Sequence, residues 1–520
     1  MKYPIGIQTF EKIREGGYAY VDKTARIFDL VKSGTYLFLG RPRRFGKSLL
    51  VSTLEAYFRG RKALFRGLAM EQLEEEWAAY PVIHFDLSNA NYTSPDVLSE
   101  KLGSDLARLE EIYGREGGIN EPALRFGNLI RRAYEQTGRK VVILVDEYDA
   151  PLVNLIHKPE LLDANRDMLS GFYKNLKSCD QYIQFALLTG VTKFGQLSIF
   201  SALNNLNDIS QSKQFQDICG ITEEELHSTF DEGVREMAEE LGISSGECYA
   251  QLKKSYDGYH FCKNGIGIYN PFSLLLALKS KEFDSYWFQT GTPTALLLAL
   301  RDTHSDITQV AGQMVEPYVL QSVNSYQDDL TALLYQSGYL TISGLAPTGA
   351  LVVDFPNEEV RMGFIQQLLP IYSSLSTAAS SSLANQLKLA LIEGDVETYI
   401  AEMQSLIASI DYGFFRQTEQ AFQFIFYVTG ALLSGKDLRT AAEKRTNRGR
   451  IDLLIETKDY IYIMEYKLDQ SPETALEQIH SKGYAEQWMG DHRKKILLGV
   501  NFSSAERNIP TQNGWKMEML

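Results

Sequence analysis

The sequence predicts a multidomain α/β protein, and three observations carry that expectation. Its 520 residues exceed what one hydrophobic core ordinarily organises, so two or three domains are expected. In the first third, two short apolar runs end in chemically distinctive turns, "GRPRRFGKSLL" at 40–50 and "VDEYDAP" at 145–151. In the last third, "GRIDLLIETKDYIYIMEYKL" at 449–468 reads as two β-rich runs around a short polar turn. With 44% hydrophobic and 23% charged residues and no low-complexity tract of any length, the chain is expected to fold throughout.

The formal charge of −14 argues against a surface that coats nucleic acid non-specifically, and leaves room for a local basic channel. "MKYPIGIQTF" lacks the apolar centre of a signal peptide, and no run approaches the roughly 18 apolar residues of a membrane span. A cytoplasmic protein with no membrane contact is expected. Cys179, Cys219, Cys248 and Cys262 show neither a CxxC pair nor zinc spacing, so they read as reduced packing residues. His84 in "PVIHFDLS" reads as a strand residue rather than a ligand.

In the first third, "TYLFLG" (35–40) is a buried-strand run, and "KSLLVSTLEAYF" (47–58) places Leu49, Leu50, Leu54 and Phe58 at helical spacing. Strand, tight loop and helix is the setting a Gly-Lys-Ser signal needs to cradle phosphates. Lys47 then reaches the terminal phosphates and Ser48 ligates magnesium. Arg41 stands where that pattern wants its first glycine. Gly46 keeps the backbone approach close, and Pro42 sets the angle at which the chain enters the loop. Arg43 and Arg44 are candidates for phosphate or a neighbouring acid, with solvated charge as the alternative. "KVVILVDEYDAP" (140–151) delivers Asp146, expected to hold magnesium through water, and Glu147, expected to polarise the attacking water. In sequence an additional strand, "YPVIHFDLS" (80–88), lies between the lysine loop and the acidic strand, and "YIQFALLTG" (182–190) follows them, ending near Thr189. That arrangement fits ATPases that carry their own catalytic glutamate. Thr189 is a candidate γ-phosphate sensor, the alternative being a plain strand end.

From residue 220 the pattern turns helical, as in "EEELHSTFDEGVREMAEEL" (223–241). "YDGYHF" (256–261) and "WFQTGTP" (287–293) are aromatic-glycine punctuation, either packing against a nucleotide or partner or forming buried turns. Residues 330–360 read as helix, strand, turn, strand, helix, a winged-helix-like order; with no Lys or Arg across 325–360, domain docking is expected there rather than DNA binding. The Ser/Ala-rich "SSLSTAASSS" (373–382) suggests a boundary, giving expected domains at 1–220, 221–372 and 383–520.

On the final hairpin, Asp452 lies on the first strand, while Glu465 and Lys467, two apart on the second, share a face. Two such carboxylates can chelate magnesium, and the lysine can orient or deprotonate a water. Glu419 in "FFRQTEQAFQFIFYVTGALL" (414–433) is the candidate for a completing acid, or an ordinary helix-start charge. Gln478 and Tyr484 are candidates either for DNA contact or for capping and packing their helix. Lys436, Arg439, Lys444, Arg445, Arg448 and Arg450 outnumber Asp437 and Glu443 just upstream of Asp452, a local excess suited to a phosphate backbone, with a solvated loop as the alternative.

"IGIQTFEKIREGGYAYVDKT" (5–24), "GRPRRFGKSLL", "VDEYDAP", "LLTGVTKF" (187–194), "SALNNLNDIS" (201–210), "YDGYHF" and "YNPFSLL" (269–275) together resemble the bacterial AAA-ATPase-like family, whose members commonly carry a C-terminal PD-(D/E)xK nuclease domain. The resemblance runs over most of the chain. It implies an N-terminal P-loop NTPase domain of the ASCE/AAA-like three-layer α/β kind and a C-terminal restriction-endonuclease-like α/β domain. It further implies that "RPRRFGKS" is a working phosphate loop, that Asp22 and Lys23 act around the nucleotide, and that Asp452, Glu465 and Lys467 occupy the named nuclease positions. The expected cofactors are ATP and Mg2+, with Mn2+ an option at the nuclease site; the expected partner is nucleic acid, DNA before RNA, and homo-oligomerisation is open. The expected function is an ATPase coupled to a magnesium-dependent nuclease. The alternative is an ATP-driven switch whose nuclease-like domain binds nucleic acid or a protein without cutting.

Overall fold

The structure is a computed structural model that describes every residue except 154, 156–157, 194–205, 288–311, 322, 324–329, 365–376, 411–421, 423–424, 427–428, 431–432, 434–437 and 447–448. The chain divides into two compact units between Arg361 and Met362.

The first unit is built on a parallel sheet of β1 (Tyr36–Gly40), β2 (Val82–Asp86), β3 (Val141–Asp146), β4 (Ile183–Gly190) and β5 (Asn207–Asp208), in the order β2-β3-β4-β1-β5. Leu37 to Leu39 and Val141 to Val145 are wholly buried, as in a parallel sheet covered on both faces. Helix α1 (Lys47–Phe58) packs Phe58 on Phe185 of β4, ring centroids 5.2 Å apart. Phe85 of β2 instead meets Phe126 and Phe172, which stack at 4.4 Å. The strand that separates the phosphate-loop strand from the acidic strand in space is β4. The stretch lying between them in sequence, β2, sits at the sheet edge beyond β3. Crossover helices, not local pattern, set that order.

The described residues between 221 and 361 belong to the same unit. Thr222 and Ser244 open α2 (Glu223–Leu241) and α3 (Ser245–Tyr256) with reciprocal capping boxes, and Asn270 caps α4 (Pro271–Ser280). Of the helically spaced Leu226, Phe230, Val234, Met237 and Leu241, the first four are buried and Leu241, at the end of the helix, is half-buried. After α5 (Thr331–Ser337), β7 (Thr341–Leu345) and β8 (Leu351–Asp354) make the expected hairpin, and an upstream strand, β6 (Gln313–Val315), adds to β8 to give the order β6-β8-β7. Three residues of mixed polarity left no strand signal for β6.

In the second unit, the latter part of the Ser/Ala-rich stretch enters α6 (Thr377–Glu393), followed by α7 (Val396–Ala408). The sheet runs in chain order: β9 (Leu438–Arg445), β10 (Arg450–Thr457), β11 (Tyr460–Leu468), β12 (Lys494–Phe502) and β13 (Trp515–Met519). β10 and β11 form the predicted hairpin, while α8 (Pro472–Ser481) connects β11 to its parallel neighbour β12. Tyr462, Met464 and Tyr466 share a core with α6 and α7, whereas Ile461 and Ile463 pack beneath α8. Most of the basic stretch before Asp452 is therefore an edge strand. Among the described residues, no helix is long and apolar enough to cross a membrane.

Candidate nucleotide and metal sites

Gly46 has φ of 98° and precedes α1, while a Cβ there would meet nothing within 4 Å. The protein itself requires glycine here for its left-handed backbone. The Lys47 ammonium is buried, 3.0 Å from the Arg41 carbonyl, 3.3 Å from that of Pro42 and 3.2 Å from Glu147 Oε1. Ser48 lines the same cleft, about 490 Å³ in volume, together with Arg43, Arg44, Glu147 and Asp149. Glu147 holds φ of 52°, an uncommon conformation for a glutamate and one met at functional turns. Asp146 is buried, and its Oδ1 accepts both the Thr189 hydroxyl at 2.6 Å and the Glu147 amide at 3.1 Å. Because β4 lies between β1 and β3, Thr189 ends up where it can orient that aspartate.

Arg41, in the first-glycine position, is a buried staple. Its guanidinium donates to the carbonyls of Gly40 (2.9 Å), Ser210 (2.7 Å) and Phe215 (3.1 Å) and lies 4.0 Å from the Phe261 ring centroid. Phe45 of the same loop meets Tyr259 and Phe261 edge-on at 4.7 and 5.3 Å. The "YDGYHF" motif therefore packs behind the phosphate loop. Its Gly258 lies so close to the Pro356 carbonyl that a Cβ would come within 2.0 Å of the oxygen. Arg43 and Arg44 are exposed, and Arg44 leans over Phe272 at 4.8 Å. Asp22 and Lys23 are engaged in structural bonds: Asp22 accepts from the Thr24 amide (2.9 Å) and hydroxyl (2.6 Å) and the Ala69 amide (2.8 Å), and Lys23 pairs with Glu225 at 2.6 Å.

In the second unit, the register Leu453↔Met464 sets Asp452 beside Glu465. There the ladder stops, and Asp452 Oδ2 accepts the Tyr466 amide at 2.9 Å. Glu465 is 1% exposed; its Oε1 is 3.5 Å from the Lys467 ammonium and also accepts from the Gln478 side chain, while its Oε2 is buried without a hydrogen-bond partner. Burial first, then the charge of Asp452, pushes Glu465 up to about 8 against the pull of Lys467. Crowded carboxylates with an unsatisfied oxygen fit a divalent cation. Among the described residues no group of three His, Cys, Asp or Glu side chains forms a metal cluster. Glu419 lies outside the described residues. Gln478 is committed to Glu465, and Tyr484, 2% exposed, packs in the core beneath α8, so the packing part of its alternative holds.

Residues 4–200 match the family model described as "Predicted AAA-ATPase", and residues 417–512 match the "PD-(D/E)XK nuclease superfamily". A curated relative from Azotobacter chroococcum mcd 1, described as "Uncharacterized protein in vnfD 5'region", is 36% identical over 523 residues, covering 98% of each chain. The chain belongs to the AAA-ATPase-like family with a C-terminal PD-(D/E)XK domain.

Sequence reading missed two groups in this AAA-ATPase-like chain. Asp149 is 1% exposed and accepts the amides of Val191 (3.1 Å) and Thr192 (2.6 Å); burial, then the charge of Glu147, pushes it up to about 7. A Cβ on Gly190 would come 2.5 Å from its carboxylate, so this Asp-to-Gly pairing locks β4 to the acidic turn. The available signal was a second acid two residues after Glu147. In the PD-(D/E)XK domain, Gly499 pairs with Glu465, and a Cβ there would lie 2.3 Å from the Pro472 carbonyl. A glycine inside the apolar run "KILLGVNF" was the sign that another backbone, here α8, approaches closely.

Proposed function

We propose that the protein binds and hydrolyses ATP in the first cleft and cleaves phosphodiester bonds of nucleic acid, DNA before RNA, at the C-terminal site. The observation that carries the first half is the 3.2 Å pair between Lys47 and Glu147 on the cleft floor. Without a phosphate, each neutralises the other. A terminal phosphate draws the ammonium to itself, and Glu147 is released to orient a water and take its proton. Ser48 and Asp146 would hold magnesium, which when bound neutralises charge on the phosphate oxygens. The nucleobase is proposed to enter an adjoining apolar slot of about 110 Å³ lined by Ile13, Val21, Leu49, Ile218, Phe230 and Leu275.

At the second site Asp452 and Glu465 would hold the cation, magnesium or manganese, and Lys467 orients or deprotonates the attacking water. The proposed coupling starts at the contacts of Arg41 and Phe45 with "YDGYHF", whose His260 amide in turn donates to the Thr341 hydroxyl of β7 at 2.6 Å, in the β6-β8-β7 element that precedes the second unit in the chain. The test measures ATP hydrolysis and the cutting of linear, circular and single-stranded DNA and of RNA, with magnesium or manganese and with or without ATP. Wild type is compared with Lys47→Ala and Glu465→Ala. Cutting lost in Glu465→Ala and altered in Lys47→Ala supports an ATP-coupled nuclease. ATP turnover with no cutting under any condition selects the non-cleaving switch.

A further inference from the structure

Arg450 is the first residue of β10, exposed, and two residues before Asp452, so the two share a sheet face about 7 Å apart along the strand. Across β9, Arg445 stands directly opposite Arg450. The carboxylates of the proposed cleavage site stand one row away, so an anion drawn to the exposed Arg450 guanidinium would lie beside them. The backbone of Arg450 is held on both sides by a single buried hydroxyl: Tyr484 Oη accepts its N–H at 3.2 Å and donates to its carbonyl at 2.8 Å. Gly449 leaves room for that ring, since a Cβ there would sit 2.7 Å from the hydroxyl. A strand end that would otherwise fray is thereby clamped beside the metal-binding row.

We propose that Arg450 binds a backbone phosphate of the nucleic acid next to the scissile bond, with Tyr484 as its positioning residue. The proposal rests on the nuclease reading of Asp452, Glu465 and Lys467. It supplies the local positive charge that a chain of net charge −14 needs to approach a polyanion.

The test uses the full chain with Ca2+ in place of Mg2+ and measures the affinity of a labelled duplex DNA, its single strand and an RNA of the same sequence from 50 to 300 mM salt. Arg450→Gln should weaken binding to unrelated sequences alike and lower the slope of log K against log salt by about 0.9 on duplex DNA, one phosphate contact. Arg450→Lys should keep the slope and lose part of the affinity, because the charge stays while the guanidinium fork goes. Tyr484→Phe should weaken binding with the slope unchanged. Mn2+ affinity, read by calorimetry, should match wild type in all three, which a general loss of structure would not allow. If wild type binds and Arg450→Gln matches it in affinity and slope, Arg450 is not a phosphate contact and the nuclease reading stands. If wild type binds neither DNA nor RNA, the nuclease reading falls and this proposal with it.

Discussion

The two sites treat buried acid in opposite ways. In the nucleotide cleft each acid has a donor: Glu147 has Lys47, Asp146 has Thr189, and Asp149 has two backbone amides. In the C-terminal site Asp452 and Glu465 are pressed together, Lys467 reaches only one oxygen, and the other stays unmatched. Where an acid is paired with a cation, as Glu147 is with Lys47, a ligand must outcompete that pair. A site whose charges are mismatched waits for a counter-ion. Under the proposed function, a phosphate competes for Lys47 in the first site, and in the second a cation answers the charge that Lys467 leaves unmatched.

The sharpest way to break the comparison is Glu147→Gln. If the Lys47 pair stores a general base, the variant keeps ATP binding and loses about 10²- to 10⁴-fold in hydrolysis, measured by phosphate release. Unchanged turnover would reduce the pair to a structural salt bridge. At the other site, Glu465→Gln should remove the stabilisation that Mn2+ gives the wild type, about 4.1 kcal/mol at a thousandfold excess over Kd, read by denaturant unfolding with and without the metal. A variant that still responds in full locates the cation elsewhere.

These two sites were legible because each depends on local chain geometry. A strand, a Gly46-Lys47-Ser48 turn and a helix need only about twenty contiguous residues, and the hairpin that joins Asp452 to Glu465 needs a similar span. What stayed hidden depends on partners far along the chain. Arg41 bonds to Ser210 and Phe215, and Lys23 to Glu225, across separations that no periodicity encodes. The position of β4 between β1 and β3 is likewise a property of crossovers, invisible in the apolar runs themselves. Tyr484 was ambiguous between DNA contact and capping or packing its helix, because an aromatic hydroxyl suits both until the fold places it just beyond α8, against the Arg450 backbone.

Glu359 provides a control outside both sites. It is 6% exposed, accepts from the Ser273 hydroxyl at 3.0 Å and the Trp287 amide at 2.8 Å, and is pushed up to about 7 chiefly by burial. Its folded pKa lies above its unfolded one, so the fold favours the protonated form. That stabilisation is complete below about pH 4.5 and is lost as pH rises through 7. Glu359→Gln should therefore stabilise the protein above pH 7, by at most about 3 kcal/mol, and lose that advantage near pH 4.5. Denaturant unfolding across that range checks the sign. A gap independent of pH would mean that the Glu359 carboxyl does not titrate in the fold, and that burial alone does not push a carboxyl up as it is argued to do at Glu465.

The smallest expected effect concerns the two arginines of the phosphate loop, whose role the sequence leaves open. Arg44 holds φ of 69° and spreads its guanidinium over Phe272, 4.8 Å away, at the cleft wall. Such a contact is worth about 0.5–1 kcal/mol at an exposed position. Arg44→Ala should remove the contact while keeping the strained backbone, and Arg44→Gly should remove the contact and relax the strain. Subtracting the two unfolding free energies isolates the backbone term, with glycine the more stable variant. ATP affinity then decides the role of the side chain. If Arg44 touches phosphate, both variants weaken ATP binding by the same factor, because they lack the same charge. If it only braces Phe272, affinity should stay near wild type in both, and Arg43 is left as the exposed loop arginine on which a phosphate contact can be sought.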